Sequence, residues 1–207
     1  MNDEPIPRLA PDFAEVLGDH AAHLDDAASA AYGIWRDGRL AYFNKAWLEF
    51  AANNGGDEIQ RSWNLGVSIW DAIHPPLREF YQEGFERCLE DGQPWCHSYQ
   101  CSSPELLRKY QMTVYPLGGG RGLLIVNSLQ VEVPHPDLSD GVLSLQDYLD
   151  EHGLVHQCMH CRRVRRADGS NWDWIPQLVA SPPSNMTGAL CGPCFLYHYP
   201  GAPSISP

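Results

Sequence analysis

Between residues 108 and 117 the chain alternates, with Tyr110, Met112 and Val114 apolar and Lys109, Gln111 and Thr113 polar. A period of two places the apolar set on one face of a strand and leaves the other face wet. Two further strands flank it, Trp95 to Cys101 before and Gly122 to Glu132 after, the second reached through a Gly118-Gly119-Gly120 hairpin connection. Earlier, AYGIWRDGRLAYFN holds two short apolar strands around Asp37-Gly38, a dipeptide that favours the positive φ angles of a tight turn. Helical spacing recurs in three places. Phe13, Val16, Leu17 and Leu24 predict one or two helices within residues 12–31, placed to cap a sheet or to pair with another subunit. Asn44 stands at an N-cap position before Trp47, Phe50 and Ala51, which share one face, and Gly55-Gly56 ends that helix. Pro75 and Pro76 open another, where a missing amide hydrogen costs little; Leu77, Phe80, Tyr81, Phe85, Cys88 and Leu89 form its apolar stripe and Gly92 ends it. Residues 57–73 are irregular, a loop with short helical turns carrying Trp63 and Trp70.

Chemistry concentrates near the C-terminus, in Cys158-Met-His-Cys161 and Cys191-Gly-Pro-Cys194. Two residues between paired cysteines let one tight turn aim both sulfurs at one ion, so the two pairs supply the four thiolates of a tetrahedral zinc site. Such a closed site is structural rather than catalytic. His156, His160 and His198 are near enough in sequence to stand in for a cysteine or to neighbour the metal. The second tetrapeptide also occurs in thioredoxin-like oxidoreductases, but the thirteen residues after Cys194 are too few for the rest of such a domain. A labile disulfide within either pair is the alternative once the metal is lost. Arg162 stands where a c-type haem site needs histidine.

Composition narrows the classes. With 43% apolar residues, 11% aromatics and seven tryptophans in 207 residues, the chain can fill one ordinary domain and a small appendage. The acidic, proline-bearing start lacks the form of a secretory signal, and no apolar run approaches the ~20 residues that span a bilayer, so the expectation is a cytoplasmic protein without a membrane partner. Seven cysteines, four at metal spacing, fit a reducing compartment; Cys88, Cys96 and Cys101 read as buried or half-buried small apolar residues. Net charge is −12, unevenly spread: residues 153–207 set four arginines against Asp168 and Asp173, a formal +2 that leaves −14 for the remainder. An acidic body argues against general nucleic-acid binding. The run Arg162, Arg163, Arg165 and Arg166 either offsets the negative metal–thiolate centre, docks on the acidic body, or meets an acidic partner.

The order strand, strand, helices, strand, strand, strand, carried by DGRLAYFNKAWLEFA, IHPP and YQCSSPELLRKYQMTVYPL, resembles the PAS family over about residues 32–132. Tyr110 departs from that pattern, standing where the family usually has a Trp-Phe pair. Farther on, QCMHCRRVRRADGSNWDWIPQL and TGALCGPCFLYHYP resemble a cysteine-rich tail appended to bacterial sensor and response-regulator proteins. That likeness implies Cys158, Cys161, Cys191 and Cys194 as ligands, with Trp172 at its tryptophan position, and a bacterial signalling context. A helix over about 142–151 is expected to connect the parts, as a signal carrier or a rigid spacer.

Together these readings predict an α+β chain: a helical cap at 1–31, a PAS-like five-stranded antiparallel sheet with flanking helices at 32–132, a linker and connecting helix at 133–152, a zinc-ribbon-like module at 153–199 and a flexible end at 200–207. Trp47, Trp70, Phe80 and Phe85 would line a ligand cavity, or simply fill the core. Gly55-Gly56-Asp57-Glu58 imitates a cyclic-dinucleotide synthase signature in a segment too short for that domain and reads as a turn, while His74 reads as a helix start rather than a haem ligand. No phosphate loop, kinase segment or nucleophile elbow is present, so the expected function is non-catalytic. It is that of a sensor: an unidentified PAS ligand or a signalling protein partner shifts the arrangement of sheet, helix and structural zinc module. The alternatives are a scaffold that homodimerises through its N-terminal helices, a thiol or zinc-release switch, and a nucleic-acid regulator resting on the arginine run.

Overall fold

The computed structural model describes residues 7–53, 64–137 and 144–202. Helices α1 (Pro11–Leu17) and α2 (His20–Asp25) precede strands β1 (Ala30–Trp35) and β2 (Leu40–Phe43). Helix α3 (Lys45–Asn53), a 3-10 turn at Ile69–Asp71 and helix α4 (Pro75–Asp91) follow, then β3 (Trp95–Gln100), β4 (Leu106–Leu117) and β5 (Gly122–Pro134). These strands form one sheet in the order β2-β1-β5-β4-β3. A five-stranded antiparallel sheet in that order, with its helices inserted between β2 and β3, is the PAS-like fold.

Local chemistry explains the elements. Gly38, at φ +85°, turns the β1–β2 hairpin, and β1 runs antiparallel to β5 from Ala30↔Asn127 to Trp35↔Gly122. Because β5 lies between two strands with material on both faces, Gly122 to Ile125 are all buried, an unbroken run where β4 alternates. Phe13, Val16 and Leu17 of α1 sink into a cluster with Ala31, Ala41, Tyr42 and Leu124. The apolar face of α1 is therefore spent on its own sheet; burying Phe13 alone contributes about 2–3 kcal/mol.

By compactness the chain divides into two units. The first holds residues up to Ile73, Tyr81–Ser98 and Gln111–Leu129; the second holds His74–Phe80, Tyr99–Tyr110 and Gln130 onward. The second unit carries a small sheet, β8-β7-β6-β9, made of β6 (Val155–Cys158), β7 (Val164–Arg165), β8 (Trp172–Asp173) and β9 (Met186–Ala189). Helices α5 (Pro176–Ala180) and α6 (Gly192–His198) complete it, over a core of Tyr148, Val155, Val164, Ile175 and Leu178.

Two expectations need correction. The described part of the 142–151 segment is a four-residue 3-10 turn, Leu145–Tyr148, rather than a connecting helix. Tyr148 is drawn into the tail core, Leu149 bridges to Val155, and the Asp150 carboxylate accepts from the amides of His152 and Leu154, a turn that ends any helix there. Cys96 is exposed, on the wet face of β3. The glycine pair at 55–56 with its Asp-Glu, Trp63 and the last five residues lie outside the described residues. Among the described residues no helix is long and apolar enough to cross a membrane.

Candidate metal centre

The parallel pairing of β6 with β9 brings the two cysteine pairs together. Its register sets Cys158 opposite Ala189, so β6 ends in the first pair just where β9 leads into the second. The first pair closes as a knuckle: Arg162 N donates to Cys158 O at 2.9 Å, and Cys158 N to Arg163 O at 2.8 Å. Arg162 adopts φ +62°, the left-handed conformation this turn requires immediately after Cys161. The second pair opens α6, with Cys191 as its N-cap and Pro193 in its first turn. The tail therefore draws one ligand pair from a β-hairpin knuckle and one from a helix start.

All four sulfurs lie within 4.8 Å of one another, and Cys161 Sγ is 3.8 Å from Cys191 Sγ. Four sulfurs at about 2.3 Å from a tetrahedral ion stand about 3.8 Å apart, whereas a disulfide needs about 2.05 Å. The cluster is buried, with exposures of 0% for Cys158 and 9% for Cys194. Its electrostatics call for a cation. Hydrogen bonds with Cys161, Cys191 and Cys194 draw the Cys158 thiol below its ordinary value, while those with Cys158, Cys161 and Cys191 push Cys194 up. Four thiols packed this closely and buried cannot all ionise without a positive ion among them. The donor set fits a thiophilic tetrahedral metal ion.

The histidines do not stand in for cysteines. His156 Nε2 lies 2.7 Å from Asp150 Oδ2, and His198 Nε2 lies 3.0 Å from His160 Nδ1 beside the cluster. Burial lowers His198 to about 4 and lowers His160 as well. Three members of the arginine run hold partners inside the unit. Arg162 Nη1 donates to Ser102 O at 3.0 Å, Arg163 pairs with Asp137, and Arg166 pairs with Asp173 at 2.6 Å beneath a Tyr148 hydroxyl that also donates to Asp173. A cavity of about 770 Å³ adjoins the cluster, with Cys161, Cys191, Cys194, Trp172 and Trp174 in its walls.

Of the four aromatic residues picked out for a PAS cavity, two share one. Trp70 and Phe85 pack together at 5.6 Å and line a cavity of about 380 Å³ in the first unit, with Ile34, Leu89 and Leu123. Trp47 lies against Phe43 at 5.0 Å and does not line that cavity. Phe80 is edge-on to His198 at 4.7 Å in the second unit. Polar residues to which the sequence reading gave no site role, Arg36, Asp37, Gln82 and Glu86, also line the 380 Å³ cavity; Arg36 and Asp37 come from the β1–β2 turn and Gln82 and Glu86 from the middle of α4, without a motif.

No protein-family model matches the sequence, and no curated protein matches it. Among solved structures the chain is similar to the PAS domain of Bordetella pertussis BvgS, at 17% identity over 54% of this chain and 83% of that one, with a TM-score of 0.41. It is also similar to the phage VqmA–DPO complex, at 11% identity over 52% of this chain and 50% of that one, TM-score 0.40. The PAS domain of an HTR-like protein from Haloarcula marismortui matches at 17% identity over 53% of this chain and 88% of that one, TM-score 0.36.

Proposed function

We propose that this chain is a non-catalytic, cytoplasmic bacterial sensor or signal-transduction protein. Its PAS-like domain takes a small molecule or a protein partner, and its tail, folded around structural zinc, presents the response. The observation that carries this reading is the 380 Å³ cavity in the PAS-like unit. Apolar Ile34, Trp70, Phe85, Leu89 and Leu123 sit there beside Arg36, Asp37, Gln82 and Glu86. An apolar wall with a few charged groups is the ordinary make-up of a small-molecule site. Four thiol donors, enough to fill a tetrahedral site, support a holding role for the metal rather than a reactive one. Because Arg162, Arg163 and Arg166 are engaged within the second unit, the arginine run gives a nucleic-acid partner little support.

Intact mass under native conditions tests the proposal. One zinc per chain plus a second bound mass supports the sensor; zinc alone on a monomer or dimer favours a scaffold without ligand. A second reading, a thiol or zinc-release switch, has support from Cys161, Cys191 and Cys194 lining the larger cavity, which gives solvent a path to the sulfurs. Mild peroxide treatment decides it: a zinc content left unchanged removes the switch.

A further inference from the structure

The turn joining β3 to β4 closes on itself, with Cys101 N donating to Arg108 O at 3.1 Å and Ser103 N to Leu106 O at 3.0 Å, and it is tied to later parts of the chain as well. Three of its carbonyls accept from side chains or amides far along the chain. Ser102 O takes Arg162 Nη1 at 3.0 Å, Pro104 O takes the Trp174 indole Nε1 at 3.3 Å, and Glu105 O takes the His135 amide at 2.7 Å. Trp174 and His135, each 4% exposed, stack face to face with ring centres 3.7 Å apart. Ser102 is 1% exposed, and its hydroxyl oxygen accepts from Gln100 Nε2 and Arg108 N. The hairpin from Tyr99 to Tyr110 belongs to the same compact unit as the tail, while β3 and β4 run on into the other.

The metal knuckle supplies the first of these contacts. Arg162 follows Cys161, and both its left-handed backbone and its amide bond to Cys158 O belong to the closed turn from which the guanidinium projects. We propose that the cysteine-bound metal acts as a clamp on the β3–β4 hairpin: with metal in place Arg162 pins Ser102, and with metal removed the hairpin loosens. This rests on the reading that zinc folds the tail. It gives the metal state a route into the PAS-like sheet through two of its strands.

Hydrogen exchange on the full chain tests the clamp, zinc-loaded and after chelation, with zinc content measured in parallel. Arg162→Gly is the informative variant, because glycine suits φ +62° and keeps the knuckle while deleting the guanidinium. In wild type, chelation should raise exchange in residues 155–198 and also in 101–108, the latter on the order of tenfold, the effect expected for one buried carbonyl losing its donor. Zinc-loaded Arg162→Gly should hold a full complement of metal and a protected tail, yet show the faster exchange in 101–108. If chelation frees the tail and leaves 101–108 unchanged, the clamp is wrong and the zinc reading stands. If wild type holds no zinc, the zinc reading fails and the clamp with it.

Discussion

Asn44 caps helix α3 by accepting the amide hydrogen of Trp47 at 3.0 Å, and the same oxygen accepts that of Ala31, on β1, at 3.0 Å. Its amide nitrogen donates to Leu24 O and Ser29 O, both at 2.9 Å, and the residue is fully buried. One side chain thus fixes α2, β1 and α3 together. Asn44→Ala loses the cap and strands buried backbone groups, and should destabilise the first unit by about 2–4 kcal/mol in urea unfolding. Asn44→Asp keeps the acceptors but faces a carboxylate toward two carbonyls, and should not restore it. A cost near zero for Asn44→Ala would show that the three elements are held some other way.

Gly33 and Phe13 define a second tight point. A Cβ on Gly33 would lie 2.4 Å from Phe13 Cε1 and 3.2 Å from Tyr42 Cβ, and Phe13 is fully buried. Gly33→Ala should therefore cost about 1–3 kcal/mol by overpacking. Phe13→Leu alone should also destabilise, but the double variant should be more stable than the sum of the two single effects. Strict additivity in thermal unfolding would mean that the ring and the glycine do not in fact compete for space.

What could be read beforehand follows how local each signal is. The alternation at Tyr110, Met112 and Val114, the proline start at Pro75 and the stop at Gly92 (φ +64°) are set by neighbours in sequence, and all reappear as β4 and α4. The four cysteines were legible for the same reason, since each pair carries its own spacing. Residues 144–151 misled because Leu145, Tyr148 and Leu149 mimic a helical stripe, while a distant partner, Val155, decides the outcome. Phe80, too, has helical company in sequence, but finds His198 in space. The link from Arg162 to Ser102 spans sixty residues and leaves no pattern at all.

Acid should weaken the first unit through Asp25. The Arg8 guanidinium hydrogen-bonded to it, with Lys45 at 3.3 Å, holds its carboxyl below the usual value. A carboxylate depressed on folding stabilises the fold above its unfolded value of about 3.9, and the contribution fades as pH falls through the lower folded value. Asp25→Asn should cost about 1 kcal/mol at pH 7, the ion pair being partly exposed to solvent, and progressively less as pH falls below the unfolded value. Unfolding of both proteins across that range checks it; a gap that persists undiminished at pH 2 would assign the loss to packing rather than charge.

The tail and the PAS-like unit should part company when a metal ligand is lost. Cys158 ends β6 and Cys191 caps α6, so either one changed to serine removes a thiolate from a cluster whose remaining core is small. A structural zinc contributes on the order of 10 kcal/mol or more to modules of this kind, far beyond what Tyr148, Val155, Val164, Ile175 and Leu178 replace. If the proposed zinc folds the tail, Cys158→Ser and Cys191→Ser should each lower metal content to near none and open residues 153–199 to protease. Phe13, Val16 and Leu17 stay buried in a cluster that includes no tail residue, so the PAS-like unit should keep its thermal midpoint within a few degrees. Because three of the cysteines line a cavity, a small chelator should strip wild-type zinc within minutes and reproduce the serine variants' cleavage pattern. A tail that resists protease equally with and without Cys158 would show that it folds without metal.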